Sequence, residues 1–203
     1  MKSIITLDKA NQPYGFAQLN GSGSLDSNII NNTKYKVYVA LLTQTGGSNP
    51  SSTNITGDPI IIGQTYQIID NGGHGWDFTN IGAPNNDIGT YFVATGTTPA
   101  NWGVDAQLDY NTGAPVVTVL ENTIGNIWHS WENIGLYGIN SDSLFTSNKT
   151  IILCTPSVDP STPKWLTTQQ VNSHQLYFTQ FDTAGSTYNG IINPATIEIR
   201  VYN

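Results

Sequence analysis

The segment Ala195–Tyr202, ATIEIRVY, alternates strictly: Ile197, Ile199 and Val201 fall on one side of an extended chain, Thr196, Glu198 and Arg200 on the other. That period of two is the pattern of a half-buried strand, and shorter runs like it recur along the chain. Tyr35–Thr43, Thr90–Ala94, Val104–Tyr110, Ala114–Leu120, Ile127–Glu132, Gly135–Ile139, Thr150–Cys154 and Leu176–Phe181 are rich in β-branched and aromatic residues. Clusters of Gly, Asn, Ser and Pro separate them. Pro59–Asp70 reads as a hairpin or strand pair kinked at Gly63, and Gly46–Thr53 as a loop. The one helical candidate is the short Thr167–His174, TTQQVNSH. Many short strands between turn clusters indicate an all-β fold, a β-sandwich or jelly-roll-like domain.

The polar surface of such a fold is here built from amides and hydroxyls. Charged residues make up 10% of the chain, against roughly 25% in an ordinary soluble domain. Seven Lys and Arg against fourteen Asp and Glu leave a net charge of -7 with no basic face, which argues against a nucleic-acid partner. No stretch approaches the roughly 20 apolar residues of a membrane-spanning helix. The start, Met1–Ile5, is followed by Asp8, Lys9 and Asn11, which break the apolar run a signal peptide needs. Cys154 is the only cysteine, so no intrachain disulfide can form, and folding in a reducing cytoplasm is expected.

Residues 1–31 read differently from the rest. The string Asn11–Ser27, NQPYGFAQLNGSGSLDS, has one apolar residue every few positions and neither the helical nor the strand period. It reads as an extended N-terminal arm, with Tyr14, Phe16, Leu19 and Leu25 as candidate partner-docking anchors, or else as a plain leader.

Three strings resemble modules of bacteriophage virion structural and fibre proteins, in phages of Bacteroidetes hosts and crAss-like phages. The first combines YKVYVALLTQT (Tyr35–Thr45) with GAPVVTVLENTIG (Gly113–Gly125), similar to an LTQ…VLENTLG module. It is followed, as in that module, by a Trp strand, a Gly-Tyr strand and a hydrophobic strand at Ile127–Trp128, Gly135–Tyr137 and Lys149–Leu153. The second is the stretch Ile61–Trp102, with DFTNIG (Asp77–Gly82) and FVATGTTPANW (Phe92–Trp102). The third, Gly15–Ser27, is similar to linkers that precede fibre domains. In the first module the LTQ strand runs almost directly into VLENTLG, whereas here Gly46–Thr112 separates them. The resemblance therefore implies a discontinuous β-sandwich domain, 32–45 plus 113–203, with a small β domain, 46–112, inserted in a loop; one continuous sandwich with a long excursion is the alternative. Loop insertions are tolerated because closure entropy grows slowly with length. The resemblance implies a virion part and brings no catalytic residues.

The chemistry-bearing residues are sparse. A glycan depolymerase would need two carboxylates about 5–9.5 Å apart in a cleft, and the chain has three Glu: Glu121, Glu132 and Glu198. Glu121 belongs to a turn and Glu198 to the solvated face of a strand, which leaves Glu132, beside Trp128 and Trp131, as the best of the three. Asp70, Asp77 and Asn80 around Gly72–Gly75 could offer oxygens to calcium, but they fit no EF-hand and serve equally as turn formers. His74, His129 and His174 are scattered and show no zinc spacing. No enzyme activity, metal or cofactor is expected. Trp76, Trp102, Trp128, Trp131 and Trp165 could stack on sugars or simply pack. Trp128 and Trp131 should face opposite sides of one strand, one core and one exposed. Trp165, after the Pro-rich SVDPSTP, is the candidate exposed aromatic.

The expectation is a virion protein: a head-decoration, head-fibre or neck/tail-fibre subunit. It would self-associate as a homotrimer and dock through its arm on capsid, portal or fibre proteins. The alternative is a receptor- or glycan-binding fibre tip whose partner is a host surface glycan.

Overall fold

The computed structural model describes residues 34–44, 51–57, 59–70, 76–102, 105–155, 165–182, 184–187, 189, 192 and 194–203. The candidate arm and its anchors Tyr14, Phe16, Leu19 and Leu25 lie outside the described residues.

Among the described residues the strands are β1 (Tyr35–Thr43), β2 (Ser52–Ile55), β3 (Thr65–Asp70), β4 (Tyr91–Val93), β5 (Gln107–Asn111), β6 (Val116–Asn122), β7 (Ile127–Asn133), β8 (Leu136–Ser141), β9 (Thr150–Thr155), β10 (Trp165–Gln170), β11 (Gln175–Phe181) and β12 (Ala195–Tyr202). Among the described residues one 3-10 turn, Thr79–Ile81, ends at Gly82 in the left-handed region. The chain is all-β, as its sequence pattern predicts.

Eight strands form a sandwich of two four-stranded sheets, ordered β6-β1-β12-β9 and β10-β11-β8-β7. The alternation of β12 buries Ile197, Ile199 and Val201 between the sheets, together with Tyr38, Ala40 and Leu42 of β1. From the other sheet come Ile127, Tyr137, Ile139, Leu176 and Phe178. Phe178 and Tyr137 stack at 5.0 Å and 14° between ring planes, an offset aromatic pair at the centre of this core.

The strands between β1 and β6 make a third sheet, β2-β5-β3-β4. Ile55, Tyr66, Ile68, Phe92 and Leu108 line its inner face, and the 76–102 segment covers them with Trp76, Phe78, Ile81 and Ala94. This sheet lies against the sandwich edge formed by β6 and β7. The Thr65 hydroxyl accepts a hydrogen bond from the His129 backbone N–H at 3.0 Å, and Gly63 O accepts one from Val117 N at 2.8 Å. Gly63 has φ +84, and a Cβ there would run into the Val117 carbonyl, so only glycine allows the approach. Packing one element over two strand edges also blocks edge-to-edge pairing with other chains on that side.

Three local expectations fail for identifiable reasons. Thr167–Gln170, read as the start of a helix, belongs to strand β10, paired in register with β11 from Trp165↔Phe181 to Gln170↔Leu176. Its Thr and Gln side chains lie on an edge strand with little to bury, so no period of two marks it. Ser52 and Thr53, read as the end of the Gly46–Thr53 loop, instead open strand β2 (Ser52–Ile55), held by pairing with β5 from Ser52↔Asn111 to Ile55↔Leu108. Pro59–Ile62 is not a first strand of a hairpin: the chain turns at Ile62–Gly63 and β3 starts at Thr65.

Candidate functional site

Strand alternation fixes what the outer face of the β10-β11-β8-β7 sheet displays. With Ile127, His129 and Trp131 directed inward, Trp128 and Ser130 point outward from β7. Trp128 lies opposite Asn140 of β8, and Asn140 opposite Gln175 of β11, so one indole and two amides form a row across three strands. In the next row Ser130 faces Gly138. The absent side chain leaves room for a polar chain: Asn140 Nδ2 donates to Ser130 Oγ at 2.9 Å, and Ser130 Oγ to Glu132 Oε1 at 2.6 Å. Gln175 Nε2 donates to the same Glu132 oxygen at 3.2 Å. A Cβ at Gly138 would collide with the Ser130 hydroxyl and crowd Glu132.

The third sheet supplies the opposite wall. Tyr91 of β4, 38% exposed, stacks on Trp128 with ring centroids 5.5 Å apart and planes within 6°. Asn126 Nδ2 donates to the Tyr91 carbonyl at 3.0 Å, tying the two walls together. Burial raises the pKa of the Tyr91 hydroxyl, and the negative charges of Asp109 and Glu132 raise it further. Between the walls lies an open cleft of about 680 Å³, lined by this aromatic pair, by Asn126, Asn140, Asn172 and Gln175, and by Asp142 and His174. The Asn172 Oδ1 accepts from the backbone N–H groups of His174 (2.7 Å) and Gln175 (2.9 Å), and the Ser143 hydroxyl sits 2.9 Å from His174 Nε2.

A smaller cavity of about 220 Å³ adjoins the same aromatic pair, lined by Thr65, Tyr66, Asp109, His129 and Trp131 among others. His129 is fully buried, and neither ring nitrogen has a partner among the described residues. Burial pushes its pKa down to about 3, so the ring is neutral at physiological pH.

The residues singled out in the sequence separate as follows. Trp131 packs against the sandwich core while Trp128 lies on the outer face, opposite sides of one strand as expected. Trp76 and Trp102 belong to the core of the third sheet, Trp102 edge-on to Phe78 at 5.5 Å. Trp165 is 45% exposed and stacks on Phe181 at 6.0 Å. It lies on the same outer face as Trp128, at the diagonally opposite corner. Asp77 is committed locally: its Oδ1 accepts from the Thr79 backbone N–H at 2.9 Å and from the Thr79 hydroxyl, which lowers its pKa. Asn80 Oδ1 accepts from Ala100 N at 2.8 Å. No group of three His, Cys, Asp or Glu gathers among the described residues; Gly72–Gly75 lies outside them. The Cys154 thiol is pushed up to about 11 by burial and stays protonated, poorly suited to nucleophilic chemistry. Tyr91, Asn126, Asn140 and Gln175 escape a reading of the sequence, because only strand pairing brings them to Trp128.

The other sheet presents a different surface. Its outer face carries Val37, Val39 and Leu41 of β1, half-buried, and Ile151 and Leu153 of the edge strand β9, 45% and 48% exposed. Between them β12 places Glu198 and Arg200, whose Nε–Oε1 ion pair measures 2.6 Å. The apolar rows are thus crossed by this ion pair, and Glu121, expected in a turn, is instead an exposed residue of strand β6 that lies opposite Val39 on the same face.

Comparison of the chain with protein-family models, with curated proteins and with solved structures finds no match.

Proposed function

We propose that this chain is a structural subunit of a bacteriophage particle, a head-decoration, head-fibre or neck/tail-fibre protein. It acts by self-assembly and by docking on capsid, portal or fibre components. It is made in the bacterial cytoplasm, ends in the virion and carries out no catalysis. The resemblance of three strings to phage structural modules motivates the reading.

The observation that carries it is the outer face of the β6-β1-β12-β9 sheet. A second copy of this chain is the occupant that fits it. Ile151, Leu153, Val37, Val39 and Leu41 offer apolar area, the Glu198–Arg200 ion pair within it carries charges of both signs, and Glu121 stands toward its β6 margin. A chain with 10% charged residues loses little ionic hydration when copies meet. Glu132, the strongest catalytic carboxylate in the sequence, accepts hydrogen bonds from Ser130 and Gln175 and so acts as a structural acceptor in this reading.

Sedimentation equilibrium of the full chain tests self-association. The expected mass is three times the 22.0 kDa of one chain. Ile151→Glu with Leu153→Glu places two charges on that face and should return the mass to that of one chain, with thermal unfolding little changed because both side chains are already exposed. A native chain that sediments as a monomer would overturn the proposal. A second reading, a recognition module, is favoured by the cleft at Trp128.

A further inference from the structure

We propose that the cleft between Tyr91 and the Trp128–Asn140–Gln175 row binds a neutral saccharide. This rests on the cleft alone and holds whether or not the chain assembles on a phage particle.

The first argument is the shape of the site. Its volume of about 680 Å³ falls within the roughly 300–1,000 Å³ of ligand pockets. Trp128 and Tyr91 stack on each other, parallel within 6° and 5.5 Å between centroids, and border the cleft together as one apolar block. A pyranose ring presents a face of C–H groups, which can pack on the part of that aromatic block open to the cleft.

The second argument is the state of the amides. Each is fixed at one end and open at the other. Asn126 and Asn140 spend a donor on Tyr91 O and Ser130 Oγ, and Gln175 spends one on Glu132. Their carbonyl oxygens accept nothing from the described residues. Asn172 is the converse, its oxygen filled by two backbone N–H groups and its Nδ2 donating to no described residue. The cleft therefore offers several pre-oriented acceptors and at least one donor beside an apolar platform. Vicinal hydroxyls, each both donor and acceptor, complement that set.

The third argument is charge. Among the described residues no Lys or Arg lines the cleft, and Asp142 is its carboxylate and His174 its imidazole. Phosphates, carboxylated sugars and nucleotides would meet no Lys or Arg among the described residues and one carboxylate, whereas Arg or Lys is the usual partner of such groups. The ligand class that remains is uncharged and hydroxyl-rich.

Isothermal titration of the full chain with a fixed panel tests the proposal: cellohexaose, maltohexaose, mannohexaose and chitohexaose as neutral probes, and oligogalacturonate as an acidic one. At least one neutral probe should bind saturably, and Trp128→Ala should weaken it about tenfold or more. Trp128→Phe keeps a ring on Tyr91 and should fall between. Gln175→Ala and Asn140→Ala, which leave the platform in place, should each lower affinity several-fold. Trp165→Ala should bind as the native chain does, since Phe181, its stacking partner, lies six positions along β11 from Gln175, roughly 20 Å at strand rise. The proposal is overturned if no neutral probe binds saturably up to about 10 mM. It is equally overturned if oligogalacturonate alone binds, or if binding survives both Trp128→Ala and Gln175→Ala undiminished.

Discussion

Phe178→Ala is expected to lower the unfolding free energy by about 3–5 kcal/mol, the usual cost of deleting a buried ring and leaving part of its cavity. The side chain is fully buried on β11, stacked on Tyr137 and part of the core between the two sheets. Removing it deprives both sheets of contact at once, because Tyr137 and Leu176 on its own sheet and Ile197 and Ile199 on the facing one close around the same core. Stability of that size is a large fraction of what a domain has in total. Urea unfolding followed by tryptophan fluorescence would measure it as a fall in midpoint at unchanged slope. A loss below about 1 kcal/mol would mean that the sheets do not share a core around this ring.

Acid should destabilise the fold well above the range in which carboxylates titrate. His129 points inward from β7, its ring centroid 6.1 Å from that of the buried Tyr38, and burial holds its folded pKa down to about 3. In the unfolded chain the ring takes up a proton below about pH 6.5. Stability is therefore fully present above pH 6.5 and declines as pH falls toward 3, where the folded state also protonates. At pH 5 the expected loss is about 2 kcal/mol relative to pH 7.5. His129→Leu should flatten the dependence between pH 7.5 and 5, and the difference in slope between variant and native chain isolates this one group. Asp77, whose pKa is lowered by Thr79, responds in the same direction but only in the more acidic carboxylate range. Identical pH profiles for the two chains would show that His129 is not a buried neutral ring.

Much of the fold can be read directly from hydrophobic alternation. β1 and β12 have the bounds their β-branched runs suggest, Tyr35–Thr43 and Ala195–Tyr202, because each buries one face between two sheets. Alternation fails where a strand has nothing to bury. β10 is an edge strand of Thr and Gln, and β2 is Ser-Thr-Asn-Ile held by β5. Both exist because a neighbour supplies the ladder, and tertiary pairing of this kind overrides local propensity. The Ile60–Ile62 run misleads for the opposite reason: Ile61 and Ile62 are more than half exposed in a turn set by Gly63.

The cleft was only partly legible. Period-two alternation puts Trp128 and Trp131 on opposite faces, and the outward ring is Trp128. That Asn140 and Gln175 share its row depends on the pairing order β11-β8-β7, and Tyr91 arrives from another sheet altogether. No local pattern marks such residues, since Asn and Gln on an exposed strand face look the same whether or not they border a platform. The chain's shortage of charge, by contrast, is visible at once and has its structural counterpart in a sheet face of Val, Ile and Leu that carries the Glu198–Arg200 pair and Glu121.

Immunogold electron microscopy of purified phage particles, with an antibody raised against this chain, tests the virion assignment most directly. The account expects label on the particle surface: around the head for a decoration or head-fibre subunit, at the neck or tail for a fibre subunit. Particles that carry no label, intact and opened alike, would contradict it.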